Sequence, residues 1–366
     1  MDKRYKAGVI GRTGRGDYGH GLDIAYLQME DVDIVAVADD DPQGLSDAGA
    51  RLGVEKQYLN YKEMLDKEQF DIVSICPRWT KPHFEMVQAV AKTGACIFLE
   101  KPISVTLDEA DEIVRVCKEA GITIGLAHQG RMHAAEHHAK ALLKDGAIGD
   151  ILSARLRGKE DQRGGGEDLM LLGTHVFDVF RFLLDADPTW VFANVSTSDG
   201  RPITKNDAID GPEEMGLMAG DHIHALFGMS NGITATFESR KHQDKEHGRF
   251  GVQIWGSKGI MTIDGSGQQI RIYESSLWDP DYPENVRNVT DEVLKNGPTG
   301  SYTDFQVLSN VAIIRELLNA FEEKRHPIAS AEDGRWALEM VHGVYASHLS
   351  GTLVKLPLNN RTHPLS

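Results

Sequence analysis

Hydrophobic and polar positions in the first third of the chain alternate between short apolar runs and longer amphipathic stretches. The apolar runs predict strands, over 6–10, 32–38, 70–76, 95–99 and 122–126. Helical spacing with capping signals predicts helices between them, over 18–29, 81–92 and 106–120. Strands that alternate with helices form right-handed crossovers and a mainly parallel sheet. The pattern therefore predicts an α/β domain with a mainly parallel sheet over 1–126.

The pattern changes after Leu126. It predicts helices over 132–144, 167–184, 303–323 and 331–347. It predicts strands over 150–157, 190–197, 221–229, 233–240, 251–255, 259–263, 269–273 and 353–356. A long loop rich in Pro, Asp and Asn is expected over 275–300. The interpretation is an α+β domain over 127–366 with a large, mostly antiparallel open sheet, whose last segment could pack back on the first domain.

Composition narrows the class of protein. A chain of 366 residues with 41% hydrophobic and 26% charged residues is typical of a soluble protein with two domains. The net charge of −16 disfavours a nucleic-acid partner, and no apolar run reaches the 18 residues of a membrane span. The three cysteines are far apart in apolar runs, as in a reducing compartment. We expect a cytoplasmic protein with no membrane partner.

A glycine-rich turn follows the first predicted strand. Its sequence is Gly11-Arg12-Thr13-Gly14-Arg15-Gly16, and Thr13 replaces the second glycine of the dinucleotide-binding motif. In that motif the turn approaches a pyrophosphate, which sits at the N-terminus of the next helix. The turn thus predicts cofactor binding by residues 11–16.

Three acids follow the second strand. Asp39 lies 23 residues after Gly16, close to the spacing of roughly 20 residues expected for a ribose-binding acid. Together with Asp40 it predicts NAD as the cofactor, because a carboxylate would repel the 2′-phosphate of NADP. Alternatively, Asp40-Asp41-Pro42 simply caps the next helix.

The strand over 95–99 ends in Glu100-Lys101-Pro102. In an open α/β sheet, ligands bind at the carboxyl ends of the strands. Lys101 is therefore placed to contact a cofactor or substrate, or alternatively to pair with Glu100.

Several of these motifs together resemble the Gfo/Idh/MocA oxidoreductases. They are the glycine-rich turn, Asp39, Glu100-Lys101-Pro102, Gly173-Thr174-His175 and the helix that starts near Glu332. The resemblance implies a Rossmann domain, a C-terminal domain with an open sheet, and a homodimer or homotetramer formed through that sheet. It also implies hydride transfer between NAD and a carbinol carbon of a sugar or polyol.

The resemblance also implies catalytic residues. Lys101 would polarise the reacting oxygen, and His175 would carry a proton, unless it is a core histidine. The family places an Asp four residues before the His, but Leu171 stands there. Asp168 lies seven residues before His175, two turns away on the same face of one predicted helix. It is a candidate for the missing acid, or else a first-turn acid that the helix dipole favours.

Other polar residues are expected near the ligands. Beside the cofactor we expect Pro77, Trp79, His83, Glu100, Lys101 and Gln129. Beside the substrate we expect Lys101, Arg131, Arg157, Lys159, Asp161, Arg163, Asp168 and His175. His222 and His224 share one face of a strand but have no evident third ligand, so no metal is expected.

Three functions are compatible with these residues. The first is an NAD-dependent dehydrogenase acting on a secondary hydroxyl of a sugar, glycoside or inositol. The second is a redox-neutral enzyme that keeps NAD bound and cleaves a glycoside through transient oxidation and elimination. The third is a non-catalytic regulator that binds dinucleotide and sugar.

Overall fold

The computed structural model describes residues 3–242, 250–265, 269–275, 286–288 and 302–366. The chain divides into two compact units. The first comprises Met1–Met132, Pro212–Gly216 and Gly300–Arg335, and the second comprises His133–Gly211, Leu217–Thr299 and Trp336–Ser366. The division predicted at 126/127 stays a prediction. The loop predicted over 275–300 lies outside the described residues except at 275 and 286–288.

A six-stranded parallel sheet forms the centre of the first unit. Its strands are β1 (Tyr5–Ile10), β2 (Val32–Ala38), β3 (Lys56–Tyr58), β4 (Ile72–Ile75), β5 (Cys96–Leu99) and β6 (Ile124–Leu126). Their order is β3-β2-β1-β4-β5-β6. This is the order of a Rossmann fold, with its switch point between β1 and β4. The predicted α/β class is confirmed.

Helices connect and cover this sheet. They are α1 (Pro42–Leu52), α2 (Tyr61–Lys67), α3 (His83–Ala91), α4 (Leu107–Ala120) and, much later in the chain, α8 (Tyr302–Glu323). Asp41 caps α1, and Thr106 and Glu109 form a capping box on α4. Gly125 lets α8 lie close to β6, because a Cβ there would be 3.2 Å from Cγ2 of Ile313.

The helix predicted over 18–29 is wrong. Residues 13–23 form turns, and only Ile24–Gln28 are helical, as a short 3₁₀ helix. The physical reason is the backbone of the glycine-rich segment. Gly14, Gly16, Gly19 and Gly21 all have φ between 61° and 91°, a conformation that an α-helix cannot contain.

The second unit contains a nine-stranded sheet. Its order is β16-β15-β14-β13-β7-β12-β11-β8-β17, and only β7 and β12 pair in parallel. The strands are β7 (Ile151–Arg157), β8 (Pro188–Ser196), β11 (His222–Met229), β12 (Thr234–Arg240), β13 (Gly251–Gly256), β14 (Ile260–Asp264), β15 (Ile270–Tyr273), β16 (Val286–Asn288) and β17 (Val354–Lys355). A separate hairpin joins β9 (Ile209–Asp210) to β10 (Leu217–Met218). The mostly antiparallel sheet is thus confirmed.

The helices of this part of the chain are α5 (Ala134–Lys144), α6 (Gly166–Leu171), α7 (Gly173–Leu184) and α9 (Ala331–Ser350). The single helix predicted over 167–184 is wrong, because it breaks into α6 and α7 at Leu172. Asp168 and His175 therefore lie on different helices, and the argument that they share one helical face does not hold.

The two faces of the nine-stranded sheet differ. One face buries Phe227 and Phe237 against Phe177 of α7, with ring centroids 5.5 and 4.8 Å from that of Phe177. The other face is exposed at Phe192 and Leu226, which pair across β8 and β11 and are 48% and 37% exposed.

No helix of the described residues is long and apolar enough to cross a membrane.

Packing at β5 should dominate the stability of the first unit. Phe98 is fully buried in the same cluster as Ile314 and Leu317 of α8. Phe98→Ala should lower the free energy of unfolding by about 3–5 kcal/mol, through lost burial and the cavity left behind. Phe321→Ala is the matched control, because Phe321 is 36% exposed in the same unit. If denaturant titrations showed the same loss in the free energy of unfolding for both variants, this description of the packing would be contradicted.

Candidate active site

The glycine-rich turn and Asp39 meet at the carboxyl ends of β1 and β2. A cavity of about 270 Å³ opens there. Its wall includes Ile10, Gly11, Arg12, Ala38, Asp39 and Asp40, with Asn60, Tyr61 and Lys62 opposite. The cavity lies at the carboxyl edge of the sheet, and its wall combines acidic and apolar residues. Both features suit the adenosine half of a dinucleotide.

Asp39 is buried in this wall and is already bound to the turn. Its carboxylate accepts hydrogen bonds from Thr13 N (3.1 Å), Thr13 Oγ1 (2.7 Å), Tyr18 OH (2.9 Å) and Asp41 N (3.0 Å). A carboxylate has about four acceptor sites, so these donors occupy its capacity. The ribose role predicted for Asp39 stays a prediction, and the geometry favours Asp40 for those hydroxyls.

Asp40 remains accessible beside the same cavity. Its side chain is 52% exposed and pairs with Arg12 Nε at 3.0 Å. The alternative that an acid caps α1 is confirmed for Asp41, which accepts from Gly44 N at 2.7 Å. Asp39 thus holds the turn, Asp40 faces the cavity and Asp41 caps α1.

Glu100 joins the turn to the end of β5. It is fully buried, and its Oε2 accepts from His20 Nδ1 (2.9 Å) and His20 N (3.1 Å). Its Oε1 accepts from Lys101 N at 2.9 Å. Burial alone would raise the pKa of Glu100, but His20, together with the charge of Lys101, lowers it to about 2. Glu100 is therefore ionised, and it orients the residue that follows it.

Lys101 lies two residues past the end of β5 and is 5% exposed. The end of β5 lies beside that of β4, at the carboxyl edge of the sheet, where this fold binds a dinucleotide. The role predicted for Lys101 stays a prediction.

His83 lies between the ends of two strands. It is fully buried, with Nδ1 2.8 Å from Pro102 O and Nε2 2.7 Å from Pro77 O. Burial lowers its pKa. These contacts favour a structural role for His83 over the predicted contact with the cofactor. Trp79, by contrast, is only half-buried, and the main-chain nitrogens of 78 and 79 pack against Gly16.

Gln129 and Arg131 follow β6. Gln129 Nε2 donates to Asn310 Oδ1 (3.2 Å), and Asn310 Nδ2 donates to His20 O (3.0 Å). Arg131 pairs with Asp333 at 2.8 Å and is 7% exposed. Gln129 thus supports the turn from the side of α8, while the ion pair with Asp333 gives Arg131 a structural partner.

In the second unit, Asp168 organises the loop after β7. Its carboxylate accepts from Lys159 N and Glu160 N, both at 3.0 Å, and from Ser239 Oγ at 2.6 Å. It is fully buried, and burial raises its pKa. These contacts favour a structural role, so a substrate role for Asp168 stays a prediction that the geometry does not favour.

The charged residues of the same loop pair with one another. Arg157 pairs with Glu160 (3.3 Å) and Glu238 (3.1 Å), and Arg163 pairs with Asp161 (2.7 Å). The pair with Arg163 lowers the pKa of Asp161. Of the predicted substrate-binding residues in this loop, the side chain of Lys159 is the most exposed, at 46%.

His175 lies in the first turn of α7 and is half-buried. Its main-chain nitrogen donates to Leu172 O at 3.1 Å, at the break between the two helices. The part of the chain that the structure describes has no group of three or more acids, histidines or cysteines suited to a metal ion. The expected absence of a metal remains a prediction.

Sequence reasoning missed His20, Tyr18 and Asn310. Each acts through a partner far along the chain: Glu100 lies 80 residues after His20, and Asn310 lies 290 residues after it. The only local signal was a histidine and a tyrosine among the glycines after β1.

The fold and the cavity are those of a protein that binds a dinucleotide at the carboxyl edge of a parallel sheet. Family models match two parts of the chain: "Oxidoreductase family, NAD-binding Rossmann fold" over residues 5–128, and "GFO/IDH/MocA C-terminal domain" over residues 137–262. The chain therefore belongs to the Gfo/Idh/MocA oxidoreductases, as its motifs indicated.

Similar proteins act on carbohydrates. The D-apiose dehydrogenase of Paraburkholderia graminis is 24% identical over 97% of this chain and 90% of its own length. The 2,7-anhydro-N-acetylneuraminate hydratase of Mediterraneibacter gnavus is 24% identical over 94% of this chain and 95% of its own. A structure of levoglucosan dehydrogenase with NADH and levoglucosan has a TM-score of 0.76 at 20% identity, over 97% of this chain and all of that one. At that identity the likeness shows a shared fold.

The ionised Glu100 predicts a stability that depends on pH. A carboxyl group whose pKa falls from 4.5 to about 2 on folding stabilises the protein above pH 4.5. That contribution, about 3 kcal/mol, is lost as the pH falls toward 2. Glu100→Gln should therefore flatten the loss of thermal midpoint between pH 5 and 3, with exposed Glu55→Gln as control. If the thermal midpoint of Glu100→Gln fell between pH 5 and 3 as much as that of the unaltered protein, Glu100 would not be ionised as described.

Proposed function

We propose that this protein is an NAD-dependent dehydrogenase that oxidises a secondary hydroxyl of a sugar, glycoside or inositol-type polyol. The observation that carries the proposal is Lys101. Its strand ends at the dinucleotide edge of the sheet, and its main-chain N–H is held by an ionised, fully buried carboxylate. An ammonium group carried by this residue suits an oxygen on which negative charge develops.

The residues divide the chemical work as follows. Bound NAD supplies the acceptor for the hydride. Lys101 binds the oxygen of the reacting hydroxyl and stabilises it as its proton leaves. His175, in the Gly-Thr-His motif of α7, accepts that proton. The family's Asp is replaced by Leu171, so this chain transfers the proton without that acid.

The cofactor preference is for NAD over NADP. Asp40 lies at the adenosine cavity with its side chain about half exposed, and Asp39 adds a second carboxylate to the same wall. Two carboxylates there disfavour a 2′-phosphate. Arg12 and Lys62 are the cations of that wall, and Arg12 is already paired with Asp40.

The substrate class rests on the relatives and on the loop after β7. Relatives named for D-apiose and for 2,7-anhydro-N-acetylneuraminate indicate a polyhydroxy compound. In the loop, Lys159 is the best placed of its residues for a substrate hydroxyl, because its side chain is 46% exposed and its nearest carboxylate oxygen, on Asp161, is 3.9 Å away. Arg157 and Arg163 instead hold the loop in shape.

The proposal is tested by NAD⁺ reduction at mildly alkaline pH against inositols, hexoses, pentoses and glycosides. With a substrate found in this way, Lys101→Met should lower kcat by at least about 10²-fold while NADH affinity changes little, because the charge acts on the reacting oxygen. Lys118→Met, an exposed change on α4, is the control. Full turnover by Lys101→Met would refute the assigned chemistry.

The same screen separates the rival functions. A relative named as a hydratase favours the redox-neutral alternative as the second candidate. Substrate consumption without net NADH formation would establish that alternative. Binding of NADH and sugar without any consumption would indicate a regulator.

We also propose a homodimer or homotetramer formed through the open face of the nine-stranded sheet. Phe192 and Leu226 form an exposed apolar pair on that face. Such exposed apolar side chains mark interaction surfaces when they cluster.

A charge on that pair should separate the subunits. Phe192→Glu with Leu226→Glu should convert a dimer or tetramer into a monomer in sedimentation velocity, since buried carboxylates would lack partners. Leu27→Glu, at an exposed leucine of the first unit, should leave the oligomer intact. A monomer already present in the unaltered protein at micromolar concentration would contradict the proposal.

A further inference from the structure

The glycine-rich turn differs from the usual phosphate-binding turn in two respects. First, no α-helix follows it, so no helix N-terminus points at the cofactor. Second, its main-chain amides are engaged. Of the nine amides of residues 12–20, seven donate within the protein: those of 12, 13, 14, 15, 17, 19 and 20. The helix N-terminus that normally holds a diphosphate is therefore absent here, and most of the turn's amides already have partners within the protein.

Negative charge surrounds the same turn. Asp39 binds it at Thr13, Asp17 binds Gly14 N at 2.8 Å, and Glu100 binds it at His20. A diphosphate beside these carboxylates is unfavourable without a cation to compensate. The side chains of the turn must supply that cation.

Three nearby basic side chains already have carboxylate partners. Arg12 pairs with Asp40 at 3.0 Å, His20 pairs with Glu100 at 2.9 Å, and Arg78 lies 3.7 Å from Glu213. Arg15 differs. It is exposed at the tip of the turn, and its guanidinium has no hydrogen bond or ion pair within the described residues.

We propose that the guanidinium of Arg15 binds the diphosphate of NAD(H) in place of a helix N-terminus. Arginine suits this role, because its planar fork donates two parallel hydrogen bonds to phosphate oxygens. The carboxylates Asp39 and Glu100 keep the turn in the shape that presents Arg15. The inference concerns binding of the dinucleotide and does not depend on which reaction the enzyme catalyses.

NADH titration followed by nicotinamide fluorescence tests this assignment, with ADP and adenosine measured by calorimetry. Arg15→Gln should weaken NADH and ADP by about tenfold or more and leave adenosine unchanged, because only the first two carry a diphosphate. The difference should shrink as salt is added, since the guanidinium is exposed. Arg15→Lys should recover part of the affinity, and Arg115→Gln, on exposed α4, should bind like the unaltered protein.

Amide hydrogen exchange gives a second readout on the same proteins. If Arg15 binds the diphosphate, exchange at residues 13–20 should be nearly the same with and without NADH, because the amides keep their internal partners. Equal affinity of Arg15→Gln and the unaltered protein for NADH would overturn the proposal. So would a large change in exchange at 13–20 on NADH binding, which would show that the turn opens and gives its amides to the phosphates.

Discussion

A buried, ionised carboxylate at the end of β5 is the constraint on which the candidate site depends. Glu100 has no exposed surface, yet His20 and Lys101 keep its pKa near 2. A buried charge is tolerated only when donors surround it, so the turn carrying His20 and the strand end carrying Lys101 are fixed together. One side chain thereby couples the glycine-rich turn to the lysine that we propose as catalytic.

Carboxylates replace a helix as the organisers of the dinucleotide turn. Asp39 fixes Thr13 and Tyr18, and Glu100 fixes His20, so the turn keeps its shape without α-helical hydrogen bonds. The cost is negative charge where a diphosphate must bind. Arg15, which lacks a carboxylate partner among the described residues, is the compensating charge. Cofactor binding and turn structure in this chain therefore follow from one electrostatic arrangement.

Much of this could be predicted from the sequence, and the failures have local causes. Apolar periodicity and capping residues predicted the parallel strands, α4 and the antiparallel sheet, because those signals lie within short windows. The helix over 18–29 failed because glycines at positive φ prevent it. The prediction that Asp168 and His175 share one helical face failed because the helix is interrupted at Leu172. The partners of Asp39, Asp168 and Glu100 could not be predicted, because they depend on tertiary contacts.

The central claim is that Lys101 activates a hydroxyl whose carbon gives its hydride to NAD. Single-turnover transfer of deuterium from a carbinol-deuterated substrate tests it directly, because enzyme-bound deuterated cofactor is detected by mass spectrometry even if NADH is never released. The account predicts transfer by the unaltered protein, and none on the same timescale by Lys101→Met saturated with NAD⁺. Equal transfer by Lys101→Met would contradict it.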